Sequence, residues 1–351
     1  MTTDEQYINR CIQLASNGFG TTYPNPMVGS VIVYNNQIIG EGWHRKAGEA
    51  HAEVNAINSV QDKTVFSEAT IYVSLEPCSH FGKTPPCSDL IIASGFKKVV
   101  IGTIDPFAKV AGNGIKKLQN AGCEVTVGVL EADCQELNKR FFTFHTKKRP
   151  YIILKWAQTT DGYISPNPAS RTNKSPVWIT STLSRQLVHK WRAQEQAILI
   201  GTKTVLDDNP SLTTRDWKGA DPVRILIDRD LKVSKNARLL NNEVKTLVFI
   251  SKNTPQPSST GTTKYHPLDF EAAIILQILE TLHQKGLQSV IIEGGAYTLQ
   301  QFIDSNLWDE ARVFTGVSNF ESGIEAPTKL QGKIISETRI DSDTLTVYMN
   351  D

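Results

Sequence analysis

The chain has 351 residues, more than one ordinary domain of ~100–200 residues, so two domains are expected. Its 40% hydrophobic and 21% charged residues are typical of a folded chain, and 37 Lys and Arg against 36 Asp and Glu exclude a large basic field for nucleic acid or an anionic membrane. No apolar run approaches the ~18 residues of a membrane span, and the first residues lack the basic and apolar regions of a secretion signal, so we expect a cytoplasmic chain.

The first half of the chain alternates helix and strand signals. Thr3 and Gln6 suit a capping box at the start of a first helix, and Asn35-Asn36 suits the turn of a hairpin. Further helices are expected at 51–60, 87–94, 114–121 and from 131 towards 144. Strands are expected at 28–34, 37–42, 70–75, 98–103 and 124–129. This alternation predicts an α/β sheet covered by helices.

A short basic stretch that ends at Pro150 marks the expected domain boundary, which gives domains of 1–147 and 148–351. A second α/β series follows this boundary. Its strands are expected at 151–156, 197–201, 223–228, 246–251 and 289–292. The stretch 252–263 is rich in Pro, Ser and Thr and is expected to be a surface loop.

His51, Cys78 and Cys87 are predicted to bind one metal ion. His51 and Glu53 stand at the start of a predicted helix, Cys78 follows a strand, and Cys87 opens another helix. One imidazole and two thiolates suit tetrahedral zinc, and three visible ligands leave a fourth position for water, as in catalytic sites. Side chains in a first helical turn lean towards its N-terminus, so Glu53 can take a proton from that water and pass it to a leaving amine.

These residues match the zinc deaminase signature with one departure, since eight residues separate Cys78 from Cys87 where the usual pattern has two. The inserted segment carries Lys83 and hydroxyl groups, which suits a phosphorylated substrate, although an ordinary solvated lysine remains the alternative. Taken singly, a His-x-Glu triplet is a common helix start and a cysteine is common core filler. The cysteines without metal-like spacing are expected to be structural: Cys11, Cys123 and Cys134.

Gly294 and Gly295 stand between a predicted strand and a predicted helix in the second half. Two glycines let backbone N–H groups approach a ligand closely, and a helix N-terminus favours phosphate. The same pair is also a common strand-to-helix turn, and no GxGxxG fingerprint occurs. These residues by themselves therefore indicate no more than a phosphate site.

The chain resembles the bifunctional riboflavin-biosynthesis deaminase/reductase family. The segments that carry the resemblance are PNPMVG at 24–29, GWH at 42–44, HAE at 51–53, LEPCSH at 75–80, TPPC at 84–87, DP at 105–106 and VAG at 110–112. They span the first half, and further matching segments continue to the EGG at 293–295. The resemblance implies an N-terminal cytidine-deaminase-like three-layer α/β/α domain and a C-terminal α/β domain similar to dihydrofolate reductase.

By this resemblance the first domain is a zinc-dependent deaminase. It would release ammonia from a pyrimidine that bears a phosphoribosylamino group, with one Zn²⁺ per chain and Glu53 as the acid–base. Asn25 and His44 match positions that hold the ring or sugar, and Lys83 and Thr84 fall where the family binds the phosphoribosyl arm. A hydrogen-bonded core or loop histidine remains the alternative for His44.

The resemblance also implies that the second domain uses NADPH to reduce the ribosyl group to ribityl. The positions that match dinucleotide-binding residues are Ala157, Trp178, Thr204, Asp208 and Gly295. The positions expected to bind the sugar phosphate are Ser175, Arg192, Leu212, Arg215 and Glu293. Lys155 and Asp208 are candidates for polarising the sugar or relaying a proton. Two arginines suit a phosphate by forked hydrogen bonds, and surface ion pairing is their alternative role.

Two departures from the family pattern affect this second site. Pro176 stands where the family often has Ser, two residues before Trp178, so Ser175 or a backbone group is expected to make that contact. The family can carry a small hydroxyl residue where this chain has Arg229 after Asp228. We predict that Arg229 binds the 2′-phosphate of NADPH, because arginine commonly discriminates NADP from NAD.

Two other functions remain alternatives at this point. A nucleic-acid deaminase would need a basic, aromatic-rich surface in its second half, whereas the chain is balanced in charge and 8% aromatic. A zinc-stabilised binding module without catalysis would close the fourth ligand position and give Glu53 no role. The expected partner is thus a small phosphorylated pyrimidine, with no nucleic acid and no membrane, in a homo-oligomer.

Overall fold

A computed structural model describes residues 1–79, 85–107, 111–167, 177–259 and 261–350. The chain divides into two compact units, Met1–Lys148 and Arg149–Asp351. Within the described ranges, no helix is both long and apolar enough to cross a membrane.

The first unit contains a five-stranded sheet in the order β2-β1-β3-β4-β5. Its strands are β1 (Gly29–Tyr34), β2 (Gln37–Trp43), β3 (Thr70–Leu75), β4 (Lys98–Thr103) and β5 (Glu124–Val127). The strands β3, β4 and β5 are parallel, whereas β1 pairs antiparallel with both β2 and β3. Asn35 and Asn36 form the predicted hairpin turn, and both have positive φ angles, which Asn tolerates better than most residues.

Helices cover both faces of this sheet, as the sequence predicted. They are α1 (Thr3–Ser16), α2 (Ala52–Ser59), α3 (Cys87–Ala93), α4 (Asn113–Asn120), α5 (Glu131–Leu137) and α6 (Lys139–Lys147). Apolar side chains of α2, α3 and α4 pack on the face that carries Ile71 and Ile101. Those of α1 and α5 pack on the opposite face with Val31 and Val100, because successive strand residues point to opposite faces. The unit therefore has three layers.

Two local predictions in this unit were wrong in detail. The capping box is formed by Thr2 and Glu5, one residue before the predicted Thr3 and Gln6. Both pairs have the required spacing, but Thr3 is already helical, and the Glu5 carboxylate accepts the Thr2 N–H at 2.7 Å. The helix predicted from 131 towards 144 is interrupted at Asn138, which separates α5 from α6.

The second unit is built on a nine-stranded sheet in the order β11-β10-β9-β8-β12-β6-β13-β16-β15. The strands of the unit are β6 (Tyr151–Gln158), β7 (Tyr163–Pro166), β8 (Ala197–Gly201), β9 (Val223–Ile227), β10 (Thr246–Ser251), β11 (Thr263–Leu268), β12 (Ser289–Gly294), β13 (Glu310–Thr315), β14 (Gly323–Glu325), β15 (Lys333–Ile340) and β16 (Asp343–Met349). The pairings from β11 to β13 are parallel, and β16 and β15 are added antiparallel. The short strands β7 and β14 form a separate antiparallel pair.

In the described part of the second unit, four α-helices accompany this sheet. They are α7 (Thr182–Gln194), α8 (Thr202–Asp208), α9 (Ile274–Gln284) and α10 (Ala296–Asp304). The helices α9 and α10 pack on one face, and Val205 of α8 packs on the other. The starts of α8 and α10 directly follow the adjacent parallel strands β8 and β12, so both helix N-termini lie at one edge of the sheet. That edge is where ligands bind in parallel α/β sheets.

Candidate active sites

The three predicted metal ligands converge in the first unit. His51 is the N-cap of α2, Cys78 lies three residues after β3, and Cys87 is the first residue of α3. Their ligand atoms all lie within 4.8 Å of one another. His51 Nδ1 is 3.7 Å from Cys78 Sγ and 3.4 Å from Cys87 Sγ. Tetrahedral zinc with normal bond lengths separates nitrogen from sulfur by about 3.6 Å, so these residues fit the ion.

The local backbone favours a thiolate at this position. The backbone N–H of Cys87 donates to Cys78 Sγ at 3.3 Å, and the Ser88 N–H donates to the Cys78 carbonyl at 3.1 Å. Hydrogen bonds from Cys87 and from His51 lower the pKa of the Cys78 thiol well below its ordinary value, although burial opposes them. Two sulfurs and one imidazole leave a tetrahedral ion with a fourth position, which is the arrangement of a catalytic zinc site.

Glu53 lies beside these ligands in the first turn of α2 and is 3% exposed. Burial raises the pKa of its carboxyl group, while the neighbouring His51 lowers it. Glu53 is not one of the three ligands. A buried carboxyl next to a metal ligand suits proton transfer at the metal site. The structure therefore brings Glu53 together with all three predicted ligands.

Asn25 and His44 form a hydrogen-bonded pair next to the metal ligands. Asn25 Nδ2 lies 3.0 Å from His44 Nε2, and His44 Nδ1 lies 3.1 Å from the Ala50 carbonyl oxygen. Because the carbonyl can only accept, Nδ1 carries the proton and Nε2 accepts from Asn25. The ring of His44 is 5.3 Å from the ring of His51. Burial lowers the pKa of His44, which keeps the imidazole neutral.

His44 is thus a buried, hydrogen-bonded histidine beside the metal ligand His51, and its contact with the ring or sugar of a substrate stays a prediction. Lys83 and Thr84, the predicted contacts for the phosphoribosyl arm, lie outside the described residues.

The sequence did not predict the role of Asn138. Its side chain is 2% exposed, accepts the Met27 N–H through Oδ1 and donates to the Met27 carbonyl through Nδ2, both at 2.8 Å. Met27 follows Asn25 by two residues, so Asn138 holds the segment that presents Asn25. No local pattern reveals this pairing, because 111 residues separate the two partners.

A cleft of about 1140 Å³ opens in the second unit at the carboxyl ends of the parallel strands. Its lining includes ten of the residues predicted for this half of the chain: Lys155, Ala157, Trp178, Arg192, Thr204, Asp208, Arg215, Arg229, Glu293 and Gly295. These residues come from segments spread over 140 positions of the sequence, and the fold brings them to one place.

Two other predicted residues are not among that lining. The side chain of Leu212 is 2% exposed and packs in the core with Ile198 and Leu226, which leaves its backbone groups for any ligand contact. Ser175 lies outside the described residues, as does the unusual Pro176.

A buried charge cluster forms one wall of the cleft. Glu293 lies between two cations, with its Oε2 2.8 Å from Arg192 Nη2 and its Oε1 3.8 Å from Lys155 Nζ. Burial would raise the pKa of Glu293, but Arg192 and then Lys155 outweigh it and lower that pKa to about 2. In the described part of the chain, Arg192 Nε and Glu293 Oε1 are buried without a hydrogen-bond partner. A polar ligand would satisfy both atoms.

The strand-to-helix turns allow a ligand to approach the backbone closely. Gly294 has a φ of 120°, which non-glycine residues rarely adopt, and a Cβ on Gly295 would meet Thr204 Oγ1 at 3.4 Å. A Cβ on Gly201 would lie 2.6 Å from Thr298 Oγ1, so a side chain there would displace the Thr298 hydroxyl. The accessible backbone at the start of α10 suits the phosphates of a dinucleotide. The cleft volume of about 1140 Å³ is large enough for a ligand of that size.

Arg229 lies just after β9 at the edge of this cleft. Its side chain is 54% exposed and forms ion pairs with Glu271 at 3.1 Å and Asp230 at 3.7 Å. Its guanidinium is 5.7 Å from the centre of the Phe270 ring. The structure therefore places Arg229 within the cleft lining, while its binding of a 2′-phosphate stays a prediction.

Known proteins resemble the chain over both units. Residues 1–103 match the model of the cytidine and deoxycytidylate deaminase zinc-binding region, and residues 150–317 match that of the RibD C-terminal domain. The riboflavin biosynthesis protein RibD of Aquifex aeolicus is 42% identical over 89% of this chain and 86% of its own length. The RibD of Escherichia coli K12 is 36% identical over 89% of this chain and 87% of its own length.

Solved structures agree with these relatives. A diaminohydroxyphosphoribosylaminopyrimidine deaminase/5-amino-6-(5-phosphoribosylamino)uracil reductase from Thermotoga maritima has a TM-score of 0.87 and 37% identity, with 99% of both chains covered. A RibD of Acinetobacter baumannii has a TM-score of 0.88 and 31% identity, again with 99% of both chains covered.

Proposed function

The chain belongs to the RibD family of bifunctional riboflavin-biosynthesis enzymes, and we propose how its own residues divide the two reactions. It is a zinc-dependent deaminase and an NADPH-dependent reductase that together convert a diaminohydroxyphosphoribosylaminopyrimidine into 5-amino-6-(5-phosphoribitylamino)uracil. The family, the fold class and both cofactors inferred from the sequence are confirmed. We assign deamination to residues 1–147 and reduction to residues 148–351.

In the first unit, His51, Cys78 and Cys87 would hold zinc, which when bound would supply an activated water for attack on the ring carbon that bears the amine. Glu53, buried beside the three ligands, would accept the proton of the attacking water and pass it to the departing amine, which leaves as ammonia. Asn25 and His44 orient the pyrimidine ring. The support is the convergence of the three ligand atoms within 4.8 Å and the burial of Glu53 beside them.

Two residues outside the described ranges complete this proposal. Lys83 and Thr84 bind the phosphoribosyl arm of the substrate, because a cation and a hydroxyl between the two cysteine ligands suit a phosphate.

In the second unit, NADPH supplies a hydride to the anomeric carbon of the sugar. The proposed dinucleotide-binding residues are Ala157, Trp178, Thr204, Asp208, Arg229 and Gly295. The proposed substrate-binding residues are Ser175, Arg192, Leu212, Arg215 and Glu293. Lys155 and Asp208 polarise the sugar or relay the proton that accompanies hydride transfer. The observation that supports these roles is that ten of these residues line one cleft.

The cytoplasmic location and the homo-oligomer expected from the sequence stay predictions. The net charge of +1 supports a small anionic substrate bound locally instead of a nucleic acid.

Incubation of the purified chain with the pyrimidine substrate, with and without NADPH, tests the division of the two reactions. We expect ammonia without the cofactor and a reduced product mass only with it. Glu53→Gln should keep zinc and NADPH oxidation on the deaminated intermediate, yet lose ammonia release by roughly 10²–10⁴-fold, the usual contribution of an acid–base group. Cys78→Ser is the comparison variant, and it should lose both ammonia release and bound zinc. Ammonia release by Glu53→Gln near the wild-type rate would refute the role of Glu53.

A further inference from the structure

His189 lies in the wall of the reductase cleft, and none of the sequence patterns pointed to it. It is on α7, three residues before Arg192, so the two side chains leave neighbouring positions on one face of the helix. The residue is 5% exposed and lines the cleft. This buried imidazole therefore lies beside Arg192 and Arg215, the two arginines proposed to bind the substrate.

Two side chains of α7 hold the segment that carries Arg215. Arg192 Nη1 donates to the Thr213 carbonyl oxygen at 3.3 Å, and the backbone N–H of Arg215 donates to His189 Nδ1 at 3.1 Å. The guanidinium of Arg215 donates to Ser211 Oγ at 2.5 Å. Arg215 is therefore fixed at its backbone by His189 and at its side chain by Ser211.

We propose that His189 is the positioning residue that holds Arg215 in the substrate site, and that only its neutral imidazole can do so. The proposal rests on the proposed role of Arg215 in binding the sugar phosphate. A backbone N–H can only donate, so Nδ1 must offer a lone pair and the ring proton must be on Nε2. Nε2 lies 3.4 Å from Asp216 Oδ2, which can accept that proton's hydrogen bond.

Protonation of His189 Nδ1 would place its N–H opposite the backbone N–H of Arg215, so the hydrogen bond between them would be lost. The charged groups that face His189 are Arg192 on its own helix, Arg215 and Asp216 on the loop, and Glu293 on β12. Burial lowers the pKa of His189 below its ordinary 6.5, the two arginines lower it further, and the two carboxylates oppose them. The neutral form therefore predominates near pH 7, and the contact with Arg215 is lost as the pH falls through the lowered pKa.

Steady-state kinetics of three proteins test the contact. These are wild type, His189→Phe, which removes the acceptor, and His189→Asn, whose Oδ1 can occupy the place of Nδ1 but takes no proton. We expect His189→Phe to raise the KM for the sugar substrate about 5-fold, the equivalent of one hydrogen bond, with kcat and the KM for NADPH within about twofold. His189→Asn should restore the substrate KM at pH 8. An Asn variant as weak as the Phe variant, or a Phe variant with wild-type KM, would overturn the proposal.

The pH profile tests the requirement for a neutral ring. Protonation of the substrate phosphate, whose second pKa is about 6, raises the substrate KM in every variant. Wild type should show a further rise below pH 6.5 that His189→Asn lacks. Parallel profiles would overturn the requirement, and a wild-type KM that falls in acid would show that His189 acts as a cation on the phosphate.

Two more variants separate the ways in which the proposal can fail. Arg215→Ala with an unchanged substrate KM would refute the proposed function of Arg215 itself. A raised KM in Arg215→Ala beside an unchanged KM in His189→Phe would overturn only the positioning role. Leu345→Ala removes packing beneath α7, in a cluster with Val188 that includes no residue of the segment 211–216. It should lower thermal stability and leave the substrate KM unchanged. The rate of ammonia release is measured in every sample as a control that the first unit remains folded and active.

Discussion

Replacing Glu293 by Gln should destabilise the second unit, because it leaves two cations in the cleft wall without their shared carboxylate. Arg192 and Lys155 lie 2.8 Å and 3.8 Å from that carboxylate. Removing one partner of a buried ion pair costs ~3–5 kcal/mol. The lowered pKa of Glu293, about 2 in the folded chain against an ordinary 4.5, corresponds to a stabilisation of about 3 kcal/mol, at the lower end of that range.

Tryptophan fluorescence during thermal or urea unfolding measures this loss. Five of the six tryptophans belong to the second unit: Trp156, Trp178, Trp191, Trp217 and Trp308. We expect Glu293→Gln to lower the free energy of unfolding by about 3 kcal/mol, which corresponds to a Tm lower by roughly 6–12 °C for a unit of this size. Glu280→Gln, on the exposed side of α9, is the matched control and should change neither value.

The pH dependence of the difference has a defined sign. The pKa of Glu293 is lowered in the folded chain, so its charge stabilises the fold fully above pH 4.5 and this contribution is lost as the pH falls towards 2. The gap between wild type and Glu293→Gln should therefore be constant from pH 7 to pH 5 and should narrow below pH 4.5. A gap below about 1 kcal/mol at pH 7, the size of an exposed ion pair, would refute the reasoning. An equal gap at pH 7 and pH 3 would do the same.

Two other substitutions test the remaining assignments. Arg229→Ala should raise the KM for NADPH about 10-fold, the cost of a charge-assisted hydrogen bond, and leave that for NADH unchanged. If the ratio of kcat/KM for NADPH to kcat/KM for NADH stays equal to that of wild type, Arg229 does not bind the 2′-phosphate. Lys232→Ala is the control that removes a nearby positive charge. Asn138→Ala leaves the buried N–H and carbonyl of Met27 unpaired, so kcat/KM for ammonia release should fall about 10-fold or more while NADPH oxidation is kept. Asn120→Ala is its surface control, and an equal loss of both activities would contradict the local role of Asn138.

The zinc site could be predicted from the sequence because each ligand follows a local rule. His51 and Cys87 begin helices and Cys78 follows a buried strand, and short-range patterns reveal all three positions. The partners of Glu76 could not be predicted, because its carboxylate accepts the N–H groups of Gly112 and Gly114, more than 30 residues away. Its role depends on which loops the fold brings together.

The sequence did not predict six strands of the second unit: β7, β11, β13, β14, β15 and β16. Two of them, β15 and β11, form the edges of the large sheet. Every residue of β15 except Ile340 is exposed, so its sequence lacks the alternation that marks a half-buried strand, and its register depends on pairing with β16. The strand β11 contains Pro267 and follows a Pro-rich stretch that predicted a surface loop. Proline lacks a backbone N–H and is tolerated in an edge strand, which is the position of β11 in the sheet. Both edge strands were therefore missed for physical reasons, whereas β13 was missed although it is almost wholly buried and lies inside the sheet.

Glu53 and Glu293, one glutamate from each proposed site, are set for opposite tasks. Burial is the main influence on Glu53 and raises its pKa, whereas two cations overcome burial at Glu293 and lower its pKa to about 2. A carboxyl whose pKa is raised above its ordinary value by burial holds a proton more readily, which suits the acid–base role proposed for Glu53. A carboxylate that stays ionised holds two cations in place, which suits a fixed site for an anionic sugar. A zinc ion held by His51, Cys78 and Cys87 would add positive charge beside Glu53, whereas residues of the chain alone set the pKa of Glu293.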